Sequence, residues 1–346
     1  MTAPASDTTS TPAIVPPVTA APAAVDPAGS RRDRARTPLA PASAPPATPL
    51  VLRAAAGGIR VASTLSPELG ARLALPLFMR VGRRVAVSPA DAATHLQARR
   101  GSVRVPGIGR SGVDVVTYEW GGGPDTIVLA HGWQSRASVF ASLVRELRSE
   151  GFRVVAFDAP ANGDSPGRGT YVVDHLDVLA ELQARLGRFH AVIGHSFGGL
   201  AALLAAGEGL DVRRIATIAG AATPNVFIDG FGEMVGLDSA TREALARGYA
   251  RKLFADVENP FERYSAVTHP LPAGTPLLLV HDRGDRRVPF AEAPKLAGAN
   301  PVRTRLVPTE GLGHNRILRA DVTLDAVLDF VTAPDAALVP APSTAA

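Results

Sequence analysis

One stretch constrains the fold more than any other. It is a short apolar run, then a serine between glycines, then a run of helix formers. Phe189-His190-Ala191-Val192-Ile193 reads as a buried parallel strand. Gly194-His195-Ser196-Phe197-Gly198 follows, and Leu200 to Ala206 has almost no polar face. A serine on so sharp a strand-to-helix turn leaves no room for β-carbons two residues before or after it, which accounts for Gly194 and Gly198. The turn lifts the hydroxyl clear of the sheet, and the helix N-terminus behind it favours developing negative charge. Five letters can arise by chance; the strand before them and the helix after them supply the context.

The chain has 346 residues, right for one large α/β domain with additions, and 46% hydrophobic residues supply its core. It has no cysteine, which excludes disulfides, thiolate metal sites and a cysteine nucleophile. The formal charge is +4, and part of it sits on Arg31, Arg32, Arg34 and Arg36 in a Pro-rich stretch without aromatic interleaving. That pattern suits a solvated tail, so no nucleic-acid partner is expected. No uncharged apolar run reaches 18 residues, so no stable membrane insertion is expected. The first 25 residues do not read as a secretory leader, and Arg31-Arg32 precedes no apolar segment. A cytoplasmic protein is the expectation.

Residues 1–50 are rich in Ala, Pro, Ser and Thr and read as a disordered tail, as do residues 334–346. Residues 51–100 read as a helical segment that packs on the core; Leu69 to Phe78 has helical character interrupted by Pro76. A membrane-surface or partner helix is the other reading of that segment.

The domain proper spans residues 101–333. Strands are expected at Ser102–Val105, Val113–Tyr118, Ile127–Ala130, Val154–Phe157, the serine strand, Ile215–Ile218, Pro276–Val280 and Thr304–Val307. Helical patterns lie near 136–150, 170–187, 198–209, 290–298 and 320–332. This alternation implies an α/β fold: a mostly parallel twisted sheet with helices on both faces. Gly107-Ile108-Gly109-Arg110-Ser111-Gly112 matches a dinucleotide-binding pattern in letters, yet it opens a β run, so it reads as a hairpin loop. No cofactor and no metal are expected.

A serine hydroxyl needs a base within reach, and the base needs an orienting acid. On this architecture the chain order is serine, acid, histidine. His314, in Glu310-Gly311-Leu312-Gly313-His314-Asn315, is the last histidine and the candidate base. The acid lies in His281-Asp282-Arg283-Gly284-Asp285, directly after a strand. Asp285 stands further into the loop and is the favoured acid; Asp282 reads as a turn-forming residue. Two backbone N–H groups should face the oxyanion: that of Phe197, after the serine, and that of Trp133, in His131-Gly132-Trp133. Losing one such donor typically costs roughly 2.7–4 kcal/mol of transition-state stabilisation. The Trp133 side chain is expected to wall the pocket, and His131 to hold its loop.

These segments, with Asp158-Ala159-Pro160-Ala161-Asn162-Gly163-Asp164-Ser165, resemble the α/β-hydrolase fold over residues 100–333. The likeness is greatest to bacterial serine hydrolases with a short helical lid. Asn162 departs from the pattern, which usually has His before that Gly; the position shapes a turn. The resemblance implies a lid at residues 222–270, with Asp238 or Ser239 capping a helix. Phe227, Phe231, Met234, Leu253, Phe254, Phe261 and Tyr264 give it an apolar face. Trp133, His195, Phe231 and Met234 are the expected substrate contacts. The implied activity is hydrolysis of a carboxylic ester or similar acyl bond through an acyl-enzyme, the partner being a small, apolar acyl substrate. Acyl transfer, thioester hydrolysis, cofactor-free haloperoxidase activity and slow-turnover ligand binding use the same residues. A serine at this position argues against epoxide hydrolases and haloalkane dehalogenases, which need a carboxylate there.

Overall fold

The strands with continuous apolar runs are buried from end to end, and this sets the architecture. The structure, a computed structural model, describes residues 50–338. Helices α1 (Leu50–Leu65), α2 (Pro67–Phe78) and α3 (Pro89–Leu96) come first, followed by the strands β1 (Arg99–Val105) and β2 (Val113–Trp120). Then come β3 (Thr126–Ala130), α4 (Ala141–Ser149), β4 (Arg153–Phe157), α5 (Val172–Leu186), β5 (Ala191–His195), α6 (Phe197–Gly207) and β6 (Ile215–Ile218). Three helices separate β6 from the next strand: α7 (Asn225–Val235), α8 (Ser239–Leu253) and α9 (Pro260–Arg263). The chain closes with β7 (Leu277–Asp282), α10 (Glu292–Ala299), β8 (Thr304–Thr309), α11 (Gly313–Arg316) and α12 (Asp321–Thr332).

The eight strands form one sheet in the order β1-β2-β4-β3-β5-β6-β7-β8. β1 and β2 pair antiparallel, β2 meets β4 antiparallel, and every pairing from β4 to β8 is parallel. Successive side chains alternate between faces, so each central strand feeds two cores. Val128, Val192, Ile215 and Leu279 face one layer, which α5 and α6 cover. Ile127, Ile193, Ala216 and Leu278 face the other, with Leu143 and Leu147 of α4 and Val327 and Phe330 of α12. This is the expected α/β-hydrolase architecture. β8 departs from the expected cover on both faces: as the edge strand it is half-exposed over most of its length. The Gly107–Gly112 run turns the β1–β2 hairpin, where Gly112 N–H donates to the Pro106 carbonyl at 2.9 Å.

From β3 the chain crosses to β4 on one side, then returns to place β5 on the other. The loops leaving β3 and β5 therefore adjoin at the carboxyl edge, where open α/β sheets hold their ligands.

The ends of the domain show what holds them. α1 and α2 meet the domain that follows through its α7 and α8 and not through the sheet: Ile59, Ala71 and Ala74 share a third core with Ile228, Val235, Ala244 and Leu245. α3 and the segment before it reach the sheet side of the domain: the Thr94 carbonyl accepts from Trp120 Nε1 at 2.7 Å, Asp91 pairs with Arg319 at 2.6 Å, and the Val85 carbonyl accepts from Arg136 Nη1 at 3.0 Å. The second tail starts later than 334, because Asp335 pairs with Arg213 at 2.6 Å and with buried Arg214 at 2.7 Å. Residues 1–49 and 339–346, also expected as tails, lie outside the described residues.

Candidate active site

Ser196 sits between β5 and α6 with φ 55° and ψ −119°, a backbone region that residues with a side chain rarely occupy. The neighbours allow nothing larger than glycine: a β-carbon at Gly194 would collide with the Gly198 carbonyl, and one at Gly198 with the Ala130 carbonyl. The turn is held from the next strand, Ser196 N–H donating to the Ile218 carbonyl at 3.0 Å. Its side chain stands over the N-terminus of α6, where free backbone N–H groups favour an anion.

Asp285, in the turn after β7, and His314, in the short α11, come together. His314 Nδ1–H donates to Asp285 Oδ2 at 2.7 Å, while Asp285 Oδ1 accepts from Arg287 and Val288 N–H at 2.8 and 3.1 Å. Burial pushes the Asp285 carboxyl up, but the His314 hydrogen bond and charge and the two backbone donors outweigh it and hold it below the usual range. Asp282 does different work. Its Oδ1 accepts from Gly284 N–H at 3.0 Å, and its Oδ2 accepts from Thr309 Oγ1 and Leu312 N–H, both at 2.9 Å. It closes its own turn and straps the His314 loop to β7 and β8.

Ser196 Oγ makes no hydrogen bond to His314 in this structure; it is the neighbouring residue, His195, that touches His314. The His195 ring lies 4.7 Å from that of His314, and its Nε2–H donates to the His314 carbonyl at 2.9 Å. Burial lowers the His195 pKa to about 3, so His195 makes this contact as a neutral ring.

The β3 loop closes the other side. A β-carbon at Gly132 would lie 2.9 Å from Ser196 Cβ, so this backbone runs directly against the serine. His131 is fully buried; Ala159 N–H donates to its Nε2 at 2.9 Å, which leaves Nδ1 to carry the proton and donate to the Gly132 carbonyl at 2.7 Å. The Trp133 ring meets the Phe197 ring edge-on at 5.8 Å.

The expected substrate contacts divide. Trp133 lies beside the serine turn. His195 is buried under His314 rather than open to a ligand. Phe231 packs against Phe78 of α2 at 5.3 Å, and Met234 is 62% exposed, because both stand toward the outer end of α7. Phe227, one turn earlier on the same helix, packs on Phe197 at 5.2 Å. The α7–α9 segment is pinned where it leaves and rejoins the domain: Ala266 N–H donates to the Ala222 carbonyl at 2.9 Å, and buried Glu292 accepts from Ala222 N–H at 2.9 Å.

Residues 127–341, more than half of the chain, match the profile of the Alpha/beta hydrolase family. The chain belongs to that family. This alpha/beta hydrolase is 34% identical over 152 residues to a pimeloyl-(acyl-carrier protein) methyl ester esterase of Stenotrophomonas maltophilia, covering 42% of the chain and 52% of that protein. It is 29% identical over 116 residues to a serine hydrolase-like protein of Dictyostelium discoideum, covering 30% of the chain and 32% of that protein. The chain thus spans about a third to a half of the length of these curated relatives. Among solved structures it is similar to an esterase of Pyrococcus furiosus, with TM-score 0.52 and 20% identity over 73% of this chain and 96% of that one. It is also similar to alpha/beta hydrolase domain-containing protein 10 from mouse, with TM-score 0.52 and 18% identity over 67% and 96%. These two likenesses show the fold.

Phe227 was legible as part of the apolar face of residues 222–270, but not as the ring that meets Phe197; its signal was its place four residues before Phe231 on one helical face. The Asp282 strap was half visible as a turn former. The His195 contact left no letter, because its partner is a backbone carbonyl.

Proposed function

We propose that this protein is a serine hydrolase acting on a carboxylic ester, with Ser196, His314 and Asp285 as nucleophile, base and orienting acid. The observation that carries the proposal is the 2.7 Å bond from His314 Nδ1 to a buried carboxylate, beside a serine held at φ 55°. That bond fixes the tautomer: with the proton on Nδ1, Nε2 is free to accept one from the serine.

In this reading Ser196 Oγ attacks the ester carbonyl as His314 takes its proton. The tetrahedral oxyanion is met by the N–H groups of Phe197 and Trp133. His314 returns the proton to the departing alkoxide, leaving an acyl-serine. Water, deprotonated by His314, then releases the acid and restores the hydroxyl. The side chain of His195 contributes indirectly, by holding the loop that carries His314. Helices α7–α9 act as a lid, and Phe227 and Trp133 wall the acyl site against Phe197, which favours an apolar substrate. The Stenotrophomonas relative, an ester hydrolase by name, supports an ester over other acyl bonds.

A fluorophosphonate probe tests the proposal. The wild-type protein is expected to gain one adduct by intact mass and to hydrolyse short p-nitrophenyl esters, and Ser196→Ala to do neither. An unlabelled wild type overturns the reading; labelling without turnover of any ester or thioester turns it toward acyl transfer.

A further inference from the structure

The α1–α2 hairpin presents a face that no other described element covers. Val61 and Leu65 on α1 are 65% and 77% exposed; Leu69 and Leu73 on α2 are 41% and 50% exposed. Exposed Ala54 and Gly58 extend the α1 stripe, so apolar positions recur at i, i+4, i+7 and i+11. The opposite side of the hairpin, with Ile59, Ala71 and Ala74, is the one spent on α7 and α8. A hairpin that only covered its neighbours would carry polar residues outward.

The charge on the hairpin and on the segment that follows it is one-sided. Between residues 53 and 88 stand Arg53, Arg60, Arg72, Arg80, Arg83 and Arg84 against a single acid, Glu68. All six arginines are exposed. Glu68 pairs with Arg247 of α8, and among the described residues no carboxylate pairs with Arg53, Arg72, Arg80, Arg83 or Arg84.

We propose that this hairpin docks on an anionic membrane surface, with the four aliphatic side chains at the headgroup boundary and the arginines against lipid phosphates. An amphipathic helix of this kind lies in the interface plane. No helix among the described residues is long and apolar enough to cross. Charge decides against a second copy as the occupant: doubling this face sets six arginines against six, with one glutamate each. The hairpin is also placed for such a role. Phe78 of α2 packs on Phe231 and Tyr249, so the docked face lies outward of the helices above Ser196. If the esterase reading holds, docking brings lipid-dissolved esters to that end of the protein; the docking itself does not depend on it.

Vesicle flotation of the full chain tests this, with phosphatidylcholine alone and with phosphatidylcholine containing one-third phosphatidylglycerol. Wild type is expected to float with the anionic vesicles about tenfold more than with neutral ones, and to lose that advantage at high salt. A four-site variant (V61Q, L65Q, L69Q, L73Q) is expected to float about tenfold less, with unchanged circular dichroism and thermal midpoint. Arg72→Gln with Arg83→Gln and Arg84→Gln is expected to weaken anionic binding and leave neutral binding alone. The proposal is overturned if wild type floats with neither vesicle or the four-site variant floats like wild type, which assigns binding to Arg31–Arg36. It is also overturned if wild type is a dimer that the four-site variant converts to monomer without any flotation. Loss of ester hydrolysis with flotation intact would count against the esterase reading alone.

Discussion

Two regions meet at Ser196, and they are held by different forces. At the carboxyl edge of the sheet the contacts are directional. Asp285 accepts from one ring and two backbone donors. Asp158 accepts from Tyr118 at 2.8 Å, Ala137 N–H at 2.7 Å and Asp164 N–H at 2.8 Å. Above it, in α7–α9 and the hairpin outside them, the contacts are rings on rings: Phe227 on Phe197, Phe78 on Phe231, Tyr249 on Phe254. Hydrogen bonds weaken steeply with misalignment, whereas apolar contacts tolerate sliding and exchange of shape. In the proposed mechanism the contrast divides the tasks: proton transfer falls to the region that fixes atoms, and substrate choice to the region that can repack.

The largest effects are therefore expected at the sheet edge. Asp285→Asn should lower kcat on a p-nitrophenyl ester by about 10⁴, because an amide favours the wrong tautomer of His314. Asp282→Ala should cost about 10², through loss of its hold on Thr309 and Leu312 rather than of a proton-transfer group. Steady-state kinetics with both variants decide between the two carboxylates. A larger loss at Asp282 than at Asp285 would break the assignment.

Substitutions in the helices above should be milder and should move KM more than kcat. Phe227→Ala removes the ring on Phe197 and is expected to lower kcat/KM about tenfold, mostly through KM, with the steepest loss on long acyl chains. Phe231→Ala, whose ring rests on Phe78, should leave kcat/KM within about twofold and cost about 2 kcal/mol of stability. A panel of esters of graded length, with thermal unfolding alongside, separates the two. If Phe231→Ala proved as costly to catalysis as Phe227→Ala, the helices would act as one rigid unit and the contrast would fail.

The same division governs what could be read from the residues alone. β3, β5 and β7 are buried throughout, and burial on both faces writes an unbroken apolar run. The serine turn was legible because its backbone admits only glycine at Gly194 and Gly198. The pairing of Asp285 with His314 was legible because each follows a strand at the same edge of the sheet. The upper region was not. An amphipathic period says that α2 has an apolar side, not that α8 is the part of the domain that covers it. Phe231 and Met234 looked equivalent to Phe227 as letters; only the direction of α7 separates them. His195 was taken for a substrate contact, and its bond to a carbonyl 119 residues away could be seen only in three dimensions.

The smallest expected effect on catalysis lies at the seam between the regions. Asp174, in the first turn of α5, is fully buried and near enough to Tyr249 of α8 to help burial raise that phenol's pKa. Burial raises its pKa to about 7, against roughly 3.9 in an unfolded chain. Between those values the native state keeps a proton that the unfolded state releases. Stability contributed there is complete below about pH 4, falls as pH rises, and levels off above about pH 7. Asp285, with its lowered pKa, has the opposite sign: its contribution is present above about pH 4 and is lost as pH falls through the native value. Asp174→Asn cannot ionise, yet keeps an oxygen for the Tyr171 N–H that now donates at 3.0 Å. Thermal midpoints of variant and wild type should coincide near pH 4 and separate by several degrees above pH 7, the variant being the more stable, with kcat/KM within about twofold. Midpoints that stay together across this range would mean that water reaches Asp174, and that the helices above leave the seam open.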